Sequence, residues 1–425
     1  MKNKFIKSTI ILIIGGAITK VLAMVIKIFL TRSIGNNGIG LYMLIMPTFN
    51  LFITLCTMSL STSISKLVSE RKNSKKIVLS IIPVSLIYNF ILMILLIKLS
   101  PFIANRLLHN MDAYYPIMAI SFTLPFICLS SILKGYFYGR ENMTPYVISN
   151  ILEQIVRLLL IIFLIPKLLV YGTNIAVTGV VLINIFSEIS SIITMVIFLP
   201  NKKINFSYFK LDNDIFKDIL NISLSSTGSR LIGSISYFLE PIILSFSLMK
   251  VGYDSNYIVS EYGIITGYAF PLLLIPSFFT MAISTSLLPV ISNSYSRGNY
   301  NYAKNKLRQA IVISLLIGTF FTIAFMIFPL QILKFIYNTD LGVKYVITSA
   351  PFFLLHYVQG PLTSYLQATN KAHEAMIDTF IGAVIKNILL LILPLFIGIW
   401  GFIISSIINI FYVTLMHFYH IKKLP

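Results

Sequence analysis

Gly15 to Glu70 reads GGAITKVLAMVIKIFLTRSIGNNGIGLYMLIMPTFNLFITLCTMSLSTSISKLVSE. Two apolar runs, each long enough to cross roughly 30 Å of hydrocarbon, flank the string Gly35-Asn36-Asn37-Gly38-Ile39-Gly40. The stretch is therefore expected to form a helical hairpin with a tight glycine-rich turn. The first run carries Lys20 and Lys27 well inside it, two helical turns apart and on one face. A lysine in hydrocarbon costs several kcal/mol unless it meets water or a partner. Two on one helix are hard to explain as anchors, so the hairpin is expected to line a water-filled, cationic cavity. The second run has Pro47 near its start and Ser59-Leu60-Ser61-Thr62-Ser63 further on, a small-residue surface suited to close helix packing.

The rest of the chain agrees with a membrane setting. Its 425 residues are 57% hydrophobic and only 11% charged, with a mean hydropathy of +0.87, whereas soluble domains carry about a quarter charged residues. The expected class is an all-α polytopic membrane protein. Cys56 and Cys128 both lie in apolar runs, so no disulfide framework or zinc site is implied. A net charge of +19 would suggest nucleic acid as the partner of a soluble protein. Here the basic residues gather in short loops on one side, as the positive-inside rule requires, and no nucleic-acid partner is implied.

Twelve candidate spans fall at about 5–30, 41–68, 77–98, 115–135, 146–169, 175–199, 218–248, 262–289, 307–329, 345–366, 375–396 and 399–418. With a cytoplasmic amino terminus the inner segments hold 21 Lys and Arg and the outer loops 7. Both termini are thus expected to be cytoplasmic in a multi-pass protein of the cell membrane. Lys2, Lys4 and Lys7 lead straight into the first apolar segment without a small-residue cleavage site, which reads as a first span rather than a removed signal.

The longest polar connection, PNKKINFSYFKLDNDIFKD from Pro200 to Asp218, divides the chain near its middle. Across it lies an internal repeat. Thr57-Met58-Ser59-Leu60-Ser61-Thr62-Ser63 matches Thr280-Met281-Ala282-Ile283-Ser284-Thr285-Ser286 at five of seven positions, and Gly40 meets Gly263 at the same offset. Asn142 to Arg157 aligns with Lys371 to Lys386, which places a cation at the same depth in both halves, and Lys20 matches Arg230. The expected organisation is a six-helix lobe over 1–200, a cytoplasmic linker over 201–217 and a second six-helix lobe over 218–425. Parallel six-helix halves are a transporter architecture, with the substrate path between them.

The ionisable residues inside the spans carry the candidate chemistry: Lys20, Lys27, Glu153, Arg157, Glu188, Arg230, Glu240 and Lys386. Lys20, Lys27, Arg230, Arg157 and Lys386 are the candidate substrate-binding cations, Lys20 foremost. Lys27 also has a bland reading, since its long side chain can snorkel to the interface. Glu153 and Arg157, spaced i,i+4, can pair on one helix face. Glu240 precedes Pro241, which is expected to kink the seventh helix and free carbonyls. Glu240 and Glu153 are the candidates for ion or proton coupling. Glu188 and Lys386 are either a cross-helix pair or interfacial. Pro47, Pro271 and Pro276 are expected to kink helices two and eight. Ser63-Ile64-Ser65-Lys66 has the spacing of an acylating serine but no partner motif, and the glycine turn lacks the strand that a phosphate-cradling loop needs. The five histidines look scattered, with only His356 in a span. No metal, cofactor or catalytic constellation is expected, and the chain has no nucleotide-binding motif.

Three stretches resemble a known family: Leu30-Thr31-Arg32-Ser33-Ile34-Gly35 with Gly38-Ile39-Gly40-Leu41-Tyr42 and Pro47; Ile64-Ser65-Lys66-Leu67-Val68-Ser69-Glu70; and Lys134-Gly135-Tyr136-Phe137-Tyr138-Gly139 through Pro145, Glu153 and Arg157. Together they are similar to the stage V sporulation protein B-like polysaccharide-biosynthesis proteins. These belong to the multidrug/oligosaccharidyl-lipid/polysaccharide exporter superfamily, which also holds the lipid II flippases and the drug antiporters. The resemblance implies two six-helix lobes around a V-shaped cavity. It also implies that the chain, no enzyme, flips an undecaprenyl-diphosphate-linked sugar for wall, spore-cortex or surface polysaccharide synthesis. Its partners would be that lipid-linked glycan, the bilayer and cell-wall synthesis enzymes, with the protein itself a monomer. The runner-up is a cation-coupled multidrug or metabolite antiporter of the same fold. Lipid II flippases carry extra terminal helices for the lipid tail and arginine-rich cavities. This chain has twelve expected spans and no arginine in helix two.

Overall fold

The computed structural model describes residues 2–70, 74–199, 208 and 212–424. Most of the linker expected at 201–217, and Arg71 and Lys72 of the first inner loop, lie outside the described residues. Within them the secondary structure is helical, with no strand. In chain order the helices are α1 (Lys2–Thr57), α2 (Leu60–Glu70), α3 (Ser74–Phe102), α4 (Tyr114–Gly139), α5 (Met143–Leu169), α6 (Thr173–Ile197), α7 (Asn213–Lys250), α8 (Ser255–Gly263), α9 (Phe270–Leu273) and α10 (Ile275–Ser296). Then follow α11 (Tyr300–Ile327), α12 (Pro329–Tyr337), α13 (Val343–Ala368), α14 (Ala372–Ile392), α15 (Pro394–Ile397) and α16 (Trp400–Lys422). A π-helical turn, Ile264–Ala269, joins α8 to α9.

Among the described residues ten helical stretches, not twelve, are long and apolar enough to cross a membrane. Two physical reasons account for the difference. The first stretch, Ile14–Glu70, is 57 residues long, nearly three times the roughly 20 residues that the hydrocarbon requires at 1.5 Å per residue, and so holds two of the expected spans. The expected span at 345–366 is helical in α13 but is not among the ten, for it carries His356, Gln359 and several tyrosines.

The opening hairpin differs from expectation at both of its special strings. No six-residue turn exists at 35–40. Helical residues continue on both sides of a single break at Gly35, whose φ of 66° and ψ of −177° lie in a region essentially reserved for glycine. Pro47 sits inside continuing helix. The second break falls in the polar string itself, where Met58 and Ser59 take positive φ of 40° and 52°. The string read as a small-residue packing surface is therefore where α1 ends and α2 begins. Its twin at 280–286 is uninterrupted helix within α10. Pro271 and Pro276 stand in the first turns of α9 and α10, where their missing N–H costs nothing. Pro241 lies inside α7, which runs on as helix.

The break at Met58–Ser59 is supported on three sides. A helix end buried in an apolar setting needs partners for its freed carbonyls. The Tyr88 hydroxyl donates to Leu55 O at 3.3 Å, and Asn89 Nδ2 donates to Cys56 O at 3.4 Å. From α7, Thr227 and Arg230 reach Ser59 Oγ at 3.2 and 3.4 Å, while Ser63 pairs with Ser223 and Thr54 with Ser234, each at 2.8 Å. From α4 come Gly135 and Gly139. A Cβ at Gly135 would lie 2.7 Å from Ser61 O, and one at Gly139 2.5 Å from Ser65 O. These glycines, one turn apart, let α2 approach α4 at backbone distance.

The chain forms two compact units, Met1–Phe238 and Leu239–Pro425. In the first, α5 packs on α6 and α1, and α4 on α2, α3 and α6. In the second, α13 is the central helix, packed by α10, α11 and α16, with α14 on α16. Its core includes Leu287, Ile291, Leu307, Val358, Leu362 and Tyr365.

Candidate functional site

A cavity of about 510 Å³ opens within the first unit. Helical periodicity brings its lining residues to one place. From α1 before the Gly35 break come Ala23, Ile26, Lys27 and Leu30, and after it Tyr42, Met43, Met46, Phe49, Asn50 and Ile53. Gln154, Arg157 and Ile161 share one face of α5, Val180 and Asn184 face them from α6, and Tyr237 closes one side from α7. The lining thus has an apolar wall and a small convergent set of polar groups, the usual make-up of a ligand site. Among the described residues its charged members are Lys27 and Arg157, and neither Asp nor Glu lines it.

The two cations are held differently. Arg157 Nη2 donates to Glu153 Oε1 at 2.9 Å and to Ser187 Oγ at 3.2 Å, while its Nε has no partner. Glu153 also receives Lys134 Nζ at 3.3 Å. The i,i+4 pair expected from the sequence is present, and a third charge joins it. Lys134, counted with an inner loop, instead sits on α4 with its side chain 20% exposed. Glu188, buried on α6, lies near these groups; Lys134, Glu153, Arg157 and Ser130 are its electrostatic neighbours. Lys27 forms no ion pair among the described residues.

The structure sorts the remaining candidates. Lys20, the foremost of them, is exposed and does not line the cavity, and the same holds of Arg230, which donates to Ser59. Lys386 pairs with Glu240 and not with Glu188. Its ammonium lies 2.5 Å from Glu240 Oε2 and 5.1 Å from the centre of the Phe402 ring, and Tyr262 donates to Glu240 Oε1 at 3.4 Å. The carboxylate before Pro241 is thus committed to a lysine and a phenol. Sequence reasoning also missed a cluster in the second unit, where His417 and His420 of α16 converge on buried Asp378 of α14. His417 is buried within a span-length helix, which corrects the reading of scattered histidines. Its signal was present in the sequence: two histidines three apart, on a helix that pairs with one carrying a lone aspartate in an apolar run.

The family described as "Polysaccharide biosynthesis protein" matches residues 5–295, more than half of the chain. The chain belongs to this family. A second family, MatE, matches residues 234–393. Stage V sporulation protein B of Bacillus subtilis (strain 168) is 34% identical over 99% of this chain and 84% of its own length. Lipid II flippase MurJ of the same organism is 24% identical over 92% of this chain and 77% of its own length. Among solved structures, an inward-facing multidrug resistance MATE family transporter of the MOP superfamily superposes with a TM-score of 0.75 at 16% identity, covering 95% of this chain and 94% of that one. At that identity it shows the fold alone, the all-α fold of that structure.

Proposed function

We propose that this protein is a flippase that carries an undecaprenyl-diphosphate-linked oligosaccharide or peptidoglycan precursor across the cell membrane by alternating access. The observation that carries the reading is the first-unit cavity, whose charged lining consists of Lys27 and Arg157. A diphosphate is strongly anionic and cannot enter hydrocarbon uncompensated. Lys27 supplies an ammonium and Arg157 a planar guanidinium whose N–H groups can donate to phosphate oxygens. Asn50, Gln154 and Asn184 supply amides suited to sugar hydroxyls. Membership of a polysaccharide-biosynthesis family and likeness to a lipid II flippase support the same substrate class.

In this reading both termini are cytoplasmic, Glu153 holds Arg157 in place, and Lys20 and Arg230 guide the anion at the exposed surfaces where they stand. The MatE match over 234–393 favours a second reading, a cation-coupled drug antiporter. An organic cation calls for a carboxylate in the cavity, and the lining has none. The direct test is reconstitution into proteoliposomes loaded with an undecaprenyl-diphosphate-linked saccharide on one leaflet. The flippase reading expects the saccharide to become accessible to an enzyme on the other side. Drug extrusion without such movement would decide for the antiporter.

A further inference from the structure

The second unit contains a buried group that neither the cavity nor the Glu240–Lys386 pair uses. The Asp378 side chain is 2% exposed and that of His417 1%, while His420 stands at 25%. Asp378 Oδ1 lies 3.3 Å from His420 Nε2. Its other oxygen, Oδ2, has no hydrogen-bond partner and lies 3.9 Å from His417 Nε2.

Counting hydrogens shows what the group lacks. Thr363 Oγ1 donates its single proton to Gln359 O at 2.8 Å and lies 3.5 Å from His417 Nδ1. On the opposite side of the ring, Nε2 faces two acceptors, Ala375 O at 3.4 Å and Asp378 Oδ2. A neutral imidazole has one N–H and one lone pair, and here both nitrogens point at oxygen. With Asp378 ionised, its buried Oδ2 is an acceptor without a donor. One additional proton, on Oδ2 or on the His417 ring that faces it, supplies that donor.

We propose that Asp378, His417 and His420 form a proton-binding site at the C-terminal end of the second unit, filled through the half-open His420. Binding is simple proton transfer: hydronium loses a proton to His420, which passes it to Asp378 Oδ1, 3.3 Å away. The neutral carboxyl rests buried against α16. Loss of the proton leaves a buried carboxylate whose Oδ2 no hydrogen bond reaches and loosens the first turns of α14 from α16 and α13. On the flippase reading, which this last step assumes, the site couples proton uptake at one membrane face to movement of α14. The titratable and charged groups facing Asp378 are His417, His420 and Tyr412 from α16, and Glu374 on its own helix, itself bound to Lys371 at 2.5 Å. From α13 the group that meets His417 is Thr363, which does not titrate.

The test uses the full chain in lipid nanodiscs, with ¹⁵N-labelled histidine and infrared detection of protonated carboxyls. At pH 7 we expect either an imidazolium signal that H417Q removes or a protonated-carboxyl band that D378N removes, and in D378N the His417 imidazolium is lost as well. Finding neither signal in the folded wild-type chain overturns the site. So does an unchanged His417 spectrum in D378N. H417Q keeps hydrogen-bonding capacity and serves if D378N does not fold. In proteoliposomes, D378N and H417Q should abolish the dependence of flipping on a pH gradient, and an unaltered dependence overturns the coupling. If the wild type flips nothing while the spectra show the proton, the flippase reading fails and the proton site stands.

Discussion

Aligning Asn142–Arg157 with Lys371–Lys386 sets Arg157 against Lys386, yet the structure puts the two to different uses. Arg157 divides one nitrogen between Glu153 and Ser187 and turns toward an open cavity. Lys386 is closed off, with its ammonium on Glu240 and against the Phe402 ring. The polar strings repeat the contrast. Ser59 stands at a helix break and is bonded by Thr227 and Arg230, whereas Ser284 donates to Thr280 O of its own helix. Equal depth in sequence does not make two cations equal in function. What separates them is whether a carboxylate consumes the charge and whether space adjoins it.

The strongest way to break this comparison is at Lys386. Leaving Glu240 buried without its cation costs about 3–5 kcal/mol, so K386M should sharply lower the melting temperature of the purified chain. The double variant E240L/K386M should recover most of that loss, because an apolar pair of similar volume removes both charges together. If K386M melts like the wild type, Lys386 is no structural partner and the contrast with Arg157 collapses.

At Arg157 the expected effect moves from stability to binding. R157K keeps a positive charge near Glu153 but loses the fork that reaches Ser187 and the cavity. Affinity for an undecaprenyl-diphosphate saccharide, measured by calorimetry, should fall about tenfold, or about 1.4 kcal/mol, with little change in melting temperature. A smaller effect is expected at the helix break. S59A removes the acceptor for Thr227 and Arg230 and should cost about 1 kcal/mol. S284A, which loses one bond within its own helix, should cost less. Equal losses would mean that the break at Ser59 carries no extra support.

The smallest effect concerns a group at the aqueous edge. Lys76 donates to Asp212 at 2.7 Å and holds its carboxyl below the ordinary value of 3.8. A carboxylate lowered in the folded state adds stability that is fully present above its unfolded value and fades as pH falls through the folded one. D212N should therefore leave stability unchanged in shape across neutral pH and alter its pH dependence only in acid below about pH 4. A difference in slope near pH 7 would contradict this assignment.

Much of the fold was legible because the membrane makes its demands in sequence. Apolar run length and the Glu153–Arg157 spacing are local, and each is realised in helix. The breaks were less legible. Gly35 alone of the glycine string carries the bend, since one residue in a glycine-only region suffices, and nothing local marks Met58 and Ser59 as positive in φ. Their conformation depends on Tyr88, Asn89 and the hydroxyl face of α7, which are distant in sequence. The site showed the same division. Lys27 and Arg157 were both candidates, but their convergence depends on how α1 packs on α5. Lys20 ranked first by depth in its span, yet it stands exposed, because depth along a helix does not say which face is turned inward.

The measurement that tests the central claim most directly is flipping of an undecaprenyl-diphosphate saccharide by K27A in proteoliposomes, beside the wild type and E240L/K386M. Among the described residues Lys27 has no ion-pair partner whose loss would unfold the chain, so its removal reads the cavity alone. The cavity account predicts at least a tenfold loss, roughly the worth of one charge-assisted contact to phosphate, with flipping retained in E240L/K386M. Wild-type flipping by K27A would contradict it.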